Sequence, residues 1–222
     1  MAGRIAARHT VLFDLDGTLT DPRIGITGSV AYALAKFGIS VDDPHRTLTP
    51  FIGPPLLESF EKYYGFSRDE ARRALAYYRE YFAPTGIFEN TVYPGIPEAL
   101  QELRAAGRRL CVATSKPEVY ARRILEHFSL DSCFDAVCGA TLDETRVRKA
   151  DVIAYALETL GTEPDAAVMV GDRLHTDIRF ANNSGFSAVL VLSGETTAEM
   201  LARSSDRPDV VLTSINELSA YL

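Results

Sequence analysis

From Tyr93 onward the chain alternates short apolar runs with segments of helical periodicity, and few folds accommodate that order. Residues 110–113, 136–138, 167–170, 188–192 and 210–212 read as strands. Residues 97–106, 117–128, 150–160, 176–183, 197–202 and 215–222 between and after them read as helices. A run that is apolar throughout, without polar alternation, suits a strand covered on both faces. Strands separated by helices in this way predict a parallel sheet with helices packed on both sides. Val11, Leu12 and Phe13 near the N-terminus supply one further strand of the same kind.

Between that first strand and Tyr93 the character changes. Residues 24–37 carry Ile26, Val30, Ala33, Leu34 and Phe37 at helical spacing, with Gly38 placed to end the helix. Residues 55–64 and 68–82 also read as helices, the second opened by Ser67 with Glu70 three residues on, the pattern of a capping box. No strand is expected there. The predicted class is therefore α/β: a Rossmann-like parallel sheet core, residues 1–20 and 93–222, covered by helices and interrupted by a helical module at 21–92.

A net charge of -7 argues against general nucleic-acid binding, which needs a basic face to neutralise phosphates. It leaves room for a small phosphorylated substrate. No apolar run approaches the length of a membrane span. Residues 1–9 lack the apolar centre of a signal peptide and are expected to be a frayed extension. Cys111, Cys133 and Cys138 have no paired metal or redox spacing, and Cys111 reads as a core residue. Free thiols point to a reducing, cytoplasmic setting. The helix faces suit a monomer or a homodimer equally.

In such a sheet, functional residues are expected just past the C-terminal ends of the strands. Asp14 and Asp16 end the first strand, and alternation sends both to the same side. Two carboxylates there repel each other unless a cation or shared proton lies between them. Asp14 is the candidate nucleophile toward phosphorus and Asp16 the candidate general acid and base, with Gly17 allowing the tight turn between them and the following segment. Thr114 and Ser115 follow the strand at 110–113 and offer hydroxyl and N–H groups to phosphate oxygens, alongside a role at a helix N-terminus. Lys149, one of four lysines in the chain, opens a helix where a positive charge opposes the macrodipole. It either faces a phosphate or is a surface residue. Asp172 ends the strand at 167–170, and oxygen ligands near a phosphate suit Mg²⁺. Asp177 reads equally as a helix-start residue or as a supporting partner of that site. His175 is expected to be structural or exposed, because zinc would want more nitrogen or sulfur donors nearby.

Taken together, Asp14-Leu15-Asp16-Gly17-Thr18, Thr114, Lys149 and Gly171-Asp172 with Asp177 resemble, in type and order, the four motifs of haloacid dehalogenase superfamily phosphatases. The resemblance spans nearly the whole chain. It implies that the first Asp is the nucleophile and the second the acid and base. It implies Mg²⁺ held by Asp14, by the backbone carbonyl of Asp16 and by Asp172, with Asp177 in support. Thr114 and Lys149 would hold the transferring phosphoryl group, and the helical module would be the family's cap.

Within the superfamily, Asp21-Pro22, Gly25-Ile26-Thr27, residues 51–56 and Thr114-Ser115-Lys116-Pro117 look most like the phosphoglycolate phosphatase-like branch, some members of which act on nucleoside monophosphates or phosphotyrosine. The stretch from Gly171 to Asp177 departs from many such phosphatases by one additional residue between its two aspartates. That stretch and residues 191–197 look like the 4-nitrophenylphosphatase-like branch. The expected activity is Mg²⁺-dependent hydrolysis of a small phosphomonoester such as phosphoglycolate or a nucleoside monophosphate. A phosphomutase with a cap cation from Arg23, Lys36, Lys62 or Arg72, or a non-catalytic binder of phosphorylated metabolites, are the alternatives. Phe51 and Gly53 in the Gly-Pro-Pro loop at 51–55, together with Lys116, are the candidates for substrate specificity; a rigid surface turn is the other reading of that loop.

Overall fold

Residues 5–143 and 145–222 are described by the computed structural model. The first strand, β1 (Thr10–Phe13), is buried at every position, as its unbroken apolar character requires. A two-residue strand, β2 (Thr20–Asp21), follows, and the chain then enters a separate compact unit, Pro22–Thr91. Its helices are α1 (Arg23–Ala35), the one-turn α2 (Pro44–Thr47), α3 (Leu56–Tyr64) and α4 (Arg68–Tyr81). The capping box at the head of α4 is formed: Ser67 Oγ accepts from the Glu70 N–H, and the Glu70 carboxylate accepts from the Ser67 N–H at 2.8 Å. Val30, Ala33, Leu34, Phe60, Ala71 and Ala74 fill the middle of this unit. Phe51 joins them, its ring centroid 5.1, 5.4 and 6.0 Å from those of Phe60, Tyr63 and Tyr64.

The other unit resumes at Val92. After β3 (Thr91–Val92) the order is α5 (Ile96–Ala105), β4 (Arg109–Pro117), α6 (Glu118–His127), β5 (Ala136–Ala140), α7 (Lys149–Leu160) and β6 (Ala167–Gly171). Then come α8 (Arg179–Ser184), β7 (Ser187–Val191), α9 (Ala198–Arg203), β8 (Val210–Leu212) and a 3₁₀ segment, Ile215–Ala220. Six parallel strands form one sheet in the order β5-β4-β1-β6-β7-β8. The α/β architecture with a parallel sheet between helices is the one expected. Leu12, Cys111, Met169 and Leu190 line one face of the sheet and pack with Val152, Ile153 and Ala156 of α7. Cys111 is thus the core residue its apolar surroundings predict.

The strand order places the site. From β1 the chain builds outward through β4 to β5, then returns to the opposite side of β1 with β6. The order reverses between β1 and β6, and at such a switch point the connections at the C-terminal ends diverge and leave a crevice. Asp14 stands at that end of β1 and Asp172 at that end of β6; the Asp14 N–H donates to Val170 O at 2.9 Å, extending the ladder to the crevice.

The short strands β2 and β3 reach into 21–92, where no strand was expected, and of the expected frayed extension 1–9 the described residues are tied down, with Ile5 buried and the His9 N–H donating to Ala166 O at 3.1 Å. Three further elements differ from expectation. β4 runs past Ala113: Thr114 pairs with Gly139 and Pro117 with Ala140, with the register slipping between them. The helix expected over 176–183 is a wide π turn, Leu174–Ile178, followed by the short α8. The last helix is a 3₁₀ segment ending at Ala220.

Candidate active site

Asp14 and Asp16 lie in one stretch but have different partners. Asp14 is buried; its Oδ1 accepts the Leu15 N–H at 2.8 Å and lies 3.0 Å from Lys149 Nζ. Among the described residues no hydrogen bond engages its Oδ2. Asp16 turns instead to Lys116, with Oδ2 and Nζ 2.8 Å apart. Lys149 is the first residue of α7 and is buried there, with its Nζ also 2.8 Å from Asp177 Oδ1. The position that opposes the helix dipole is therefore satisfied by two carboxylates, which answers why a lysine stands there.

Asp172 is held from several sides. Its Oδ1 accepts from Thr18 Oγ1 at 3.3 Å and its Oδ2 from the Glu195 N–H at 2.7 Å. Gly17, in the left-handed region at φ 85°, and Gly194 both face it, and a Cβ at either would overlap its carboxylate. The Ser193 hydroxyl donates to Gly17 O at 2.7 Å, tying the loop after β7 to the turn after β1. Asp177 reaches the same place through the π turn. Both its N–H and the Ile178 N–H bond to Arg173 O, the second spanning five residues. A turn of that kind absorbs one extra residue, and the additional residue between the two aspartates is taken up there. The Arg173 N–H then donates to Asp177 Oδ2 at 3.2 Å.

The electrostatics follow from burial and proximity. Burial, then the neighbouring Asp14 and Asp177 carboxylates, push the Asp172 carboxyl up to about 8. Burial also raises Asp16, offset in part by Lys116, and raises Asp177 against the pull of Lys149. Burial works against the Lys149 ammonium, but Asp14 and Asp177 outweigh it and hold its proton more tightly than usual. Among the described residues the cations paired with Asp14, Asp16, Asp172 and Asp177 at ion-pair distance are Lys116 and Lys149, leaving an excess of two negative charges when all are ionised; Arg173 and Glu195 beside them neutralise each other at 2.6 Å. Carboxylate oxygens of Asp14, Asp172 and Asp177 lie within 4.8 Å of one another. An all-oxygen donor set with that charge excess fits a hard divalent cation.

Of the remaining candidates, Thr114 lies two residues beyond Val112, the partner of Phe13 in β1, and is buried; its Oγ1 accepts the Lys116 N–H at 3.2 Å. Ser115 is half-buried beside it. Phe51 and Gly53 belong to the helical unit, where Phe51 is enclosed by aromatic rings and Gly53 makes a turn at φ 95°. His175 is exposed, near Arg179 and Asp206. Sequence reasoning did not find the Lys116–Asp16 pair, nor Thr18, Ser193 and Glu195 as partners of this edge. The loop after β7 had a usable signal, since it follows a strand end like those of β1 and β6.

No described helix is long and apolar enough to cross a membrane. Residues 11–191 match the family model of haloacid dehalogenase-like hydrolases. A 5′-nucleotidase from Pseudomonas aeruginosa is 49% identical over 179 residues, spanning 81% of this chain and 80% of that protein. The tyrosine-protein kinase PtkA of Mycobacterium tuberculosis is 39% identical over 212 residues, spanning 96% and 72%. A phosphoglycolate phosphatase from Rhodospirillum rubrum is 36% identical over 194 residues, spanning 83% and 79%. A solved structure from Clostridium acetobutylicum, described as a predicted phosphatase, aligns with a TM-score of 0.88 at 45% identity, covering 96% of this chain and 97% of that one. The chain belongs to the haloacid dehalogenase-like hydrolases and is a phosphatase of that family.

Proposed function

We propose that this phosphatase hydrolyses small alkyl phosphomonoesters with the help of Mg²⁺, through a phosphoryl group carried on Asp14. The observation that carries this reading is the division of partners: Asp14 held by Lys149 with Oδ2 unengaged, Asp16 held apart by Lys116. In the first step Asp14 Oδ2 forms a bond to phosphorus as the ester P–O bond breaks, and Asp16 gives its proton to the leaving oxygen. In the second, a water oxygen bonds to phosphorus, its proton passes to Asp16, and the bond to Asp14 breaks, releasing inorganic phosphate. Lys149 and the hydroxyl and N–H groups at Thr114 and Ser115 hold the phosphoryl oxygens. Asp14, the Asp16 carbonyl and Asp172 would bind Mg²⁺, with Asp177 fixing Lys149 and the turn around them. When bound, the ion neutralises charge on the transferring phosphoryl group. The unit 22–91 acts as a cap that excludes water and selects the ester, with Gly53 and its loop contributing to that choice.

The relative named a 5′-nucleotidase, at 49% identity, favours nucleoside 5′-monophosphates over phosphoglycolate as the substrate. The three thiols, none in a disulfide, accord with a cytoplasmic setting. The similarity to PtkA over 96% of the chain supports a second reading, in which an acceptor hydroxyl replaces water, as it also would in a phosphomutase. Asp14→Asn is expected to lower Mg²⁺-dependent turnover of 4-nitrophenyl phosphate by about 10³-fold or more; retained turnover would overturn the nucleophile assignment. Inorganic phosphate released in equal amount to nucleoside monophosphate consumed would support hydrolysis. A deficit of phosphate, recovered as label on another hydroxyl, would establish transfer.

A further inference from the structure

The two oxygens of Asp16 are not equivalent. Oδ2 is 2.8 Å from Lys116 Nζ, while Oδ1 is buried and, among the described residues, accepts no hydrogen bond. Buried acceptors normally have a partner, and the exceptions call for an explanation. Lys116 is itself buried, an uncommon place for a lysine unless it is paired. The chain is shaped to put it there. The β4–β5 register slips between Thr114 and Pro117, and the Lys116 N–H donates back to Thr114 Oγ1 at 3.2 Å. Irregularities of this kind next to a site re-aim a side chain.

We propose that Lys116 is a positioning residue for proton transfer: it pins Asp16 through Oδ2 and so makes Oδ1 the oxygen that exchanges the proton. This rests on the reading in which Asp16 serves the leaving group and the water. In phosphoryl transfer to Asp14, the O–H bond at Asp16 Oδ1 breaks, a new O–H bond forms on the departing ester oxygen, and that oxygen leaves as the alcohol. In hydrolysis of the acyl phosphate, the water proton returns to Oδ1. Lys116 keeps its own protons throughout. The role differs from direct recognition of the substrate, because the ammonium is already committed to Asp16 with 5% of the lysine side chain exposed.

The test uses two substrates that differ in their need for a proton. An alkoxide is a poor leaving group and must be protonated, whereas 4-nitrophenolate leaves without help. For each protein, kcat/KM is measured on a nucleoside 5′-monophosphate and on 4-nitrophenyl phosphate with Mg²⁺. This parameter reports events up to formation of the phosphoenzyme, so the later hydrolysis does not enter, and the ratio of the two values is independent of the folded fraction. Lys116→Met and Lys116→Gln are expected to lower the ratio of alkyl to aryl activity by about tenfold or more, and Asp16→Asn at least as much. In the Asp16→Asn background, Lys116→Met is expected to lower the ratio no further. An equal loss on both esters in the Lys116 variants, while Asp16→Asn does discriminate, would overturn the proposal. No discrimination in Asp16→Asn would overturn the underlying assignment of Asp16 instead. If Lys116→Met alone does not fold, the double variant removes the buried pair as a whole and is compared with Asp16→Asn.

Discussion

At the scale of single residues, the room left for one carboxylate is as telling as its bonds. Gly194 leaves space that a methyl group would take from Asp172. Gly194→Ala is therefore expected to displace the Asp172 carboxylate and raise the Mg²⁺ concentration needed for half-maximal activity by about tenfold, with the far-ultraviolet circular dichroism unchanged. A Mg²⁺ titration overlying that of the parent would show that Asp172 tolerates the methyl. Asp14, Asp16 and Asp172 were legible because each stands just past an apolar run, so position in the sequence is position at the sheet edge; Asp177 follows no such run. The partner of Asp16 was not legible. Lys116 is one hundred positions away, and ordinary alternation along β4 would not favour it over Ser115; the register slip decides which of them turns inward.

At the scale of elements, the strands were the most readable because their burial on both faces makes composition a direct record of environment. The helix over 68–81 was readable for a different reason, since its start is written in two side chains. Ser67→Ala removes the acceptor for the Glu70 N–H and is expected to cost about 1 kcal/mol, measured by urea denaturation of the whole chain. A loss well below that would mean the Glu70 carboxylate alone secures the helix start. The turn at Leu174–Ile178 could not have been read, because apolar spacing does not distinguish a bond across five residues from one across four. Leu174 and Ile178 are buried, at a spacing that both turn types allow, and only the double use of Arg173 O separates them.

At the scale of the whole molecule, the site is a concentration of unbalanced charge that folding must tolerate. Asp172 rises from 3.8 to about 8 in the folded, metal-free protein. Between those values the folded state keeps a proton that the unfolded state has released, so ν_U − ν_N is negative and stability falls as pH rises through that window. Chelated protein is thus expected to show a melting temperature that declines from about pH 5 to about pH 8, and Mg²⁺ to raise it more at the higher pH. An equal Mg²⁺ shift at both pH values would count against Asp172 as a ligand. The compact unit Pro22–Thr91 has buried apolar faces of its own, as a helical module needs. Packing within that module was less legible: Phe51, a specificity candidate in the loop at 51–55, is surrounded by Phe60, Tyr63 and Tyr64.

The chain has four lysines, and the fold sorts them into two kinds. Lys36 and Lys62 are exposed, while Lys116 and Lys149 are buried against carboxylates. An amine-directed acylating reagent applied to the native protein should therefore mark the first two quickly and the other two only when the site opens. Peptide mapping of such a reaction reads the state of this sheet edge without a substrate: modification of Lys116 and Lys149 in step with Lys36 and Lys62 would mean that their ion pairs are loose in solution. The scarcity of lysine makes the amines of this protein a built-in footprint of the candidate site.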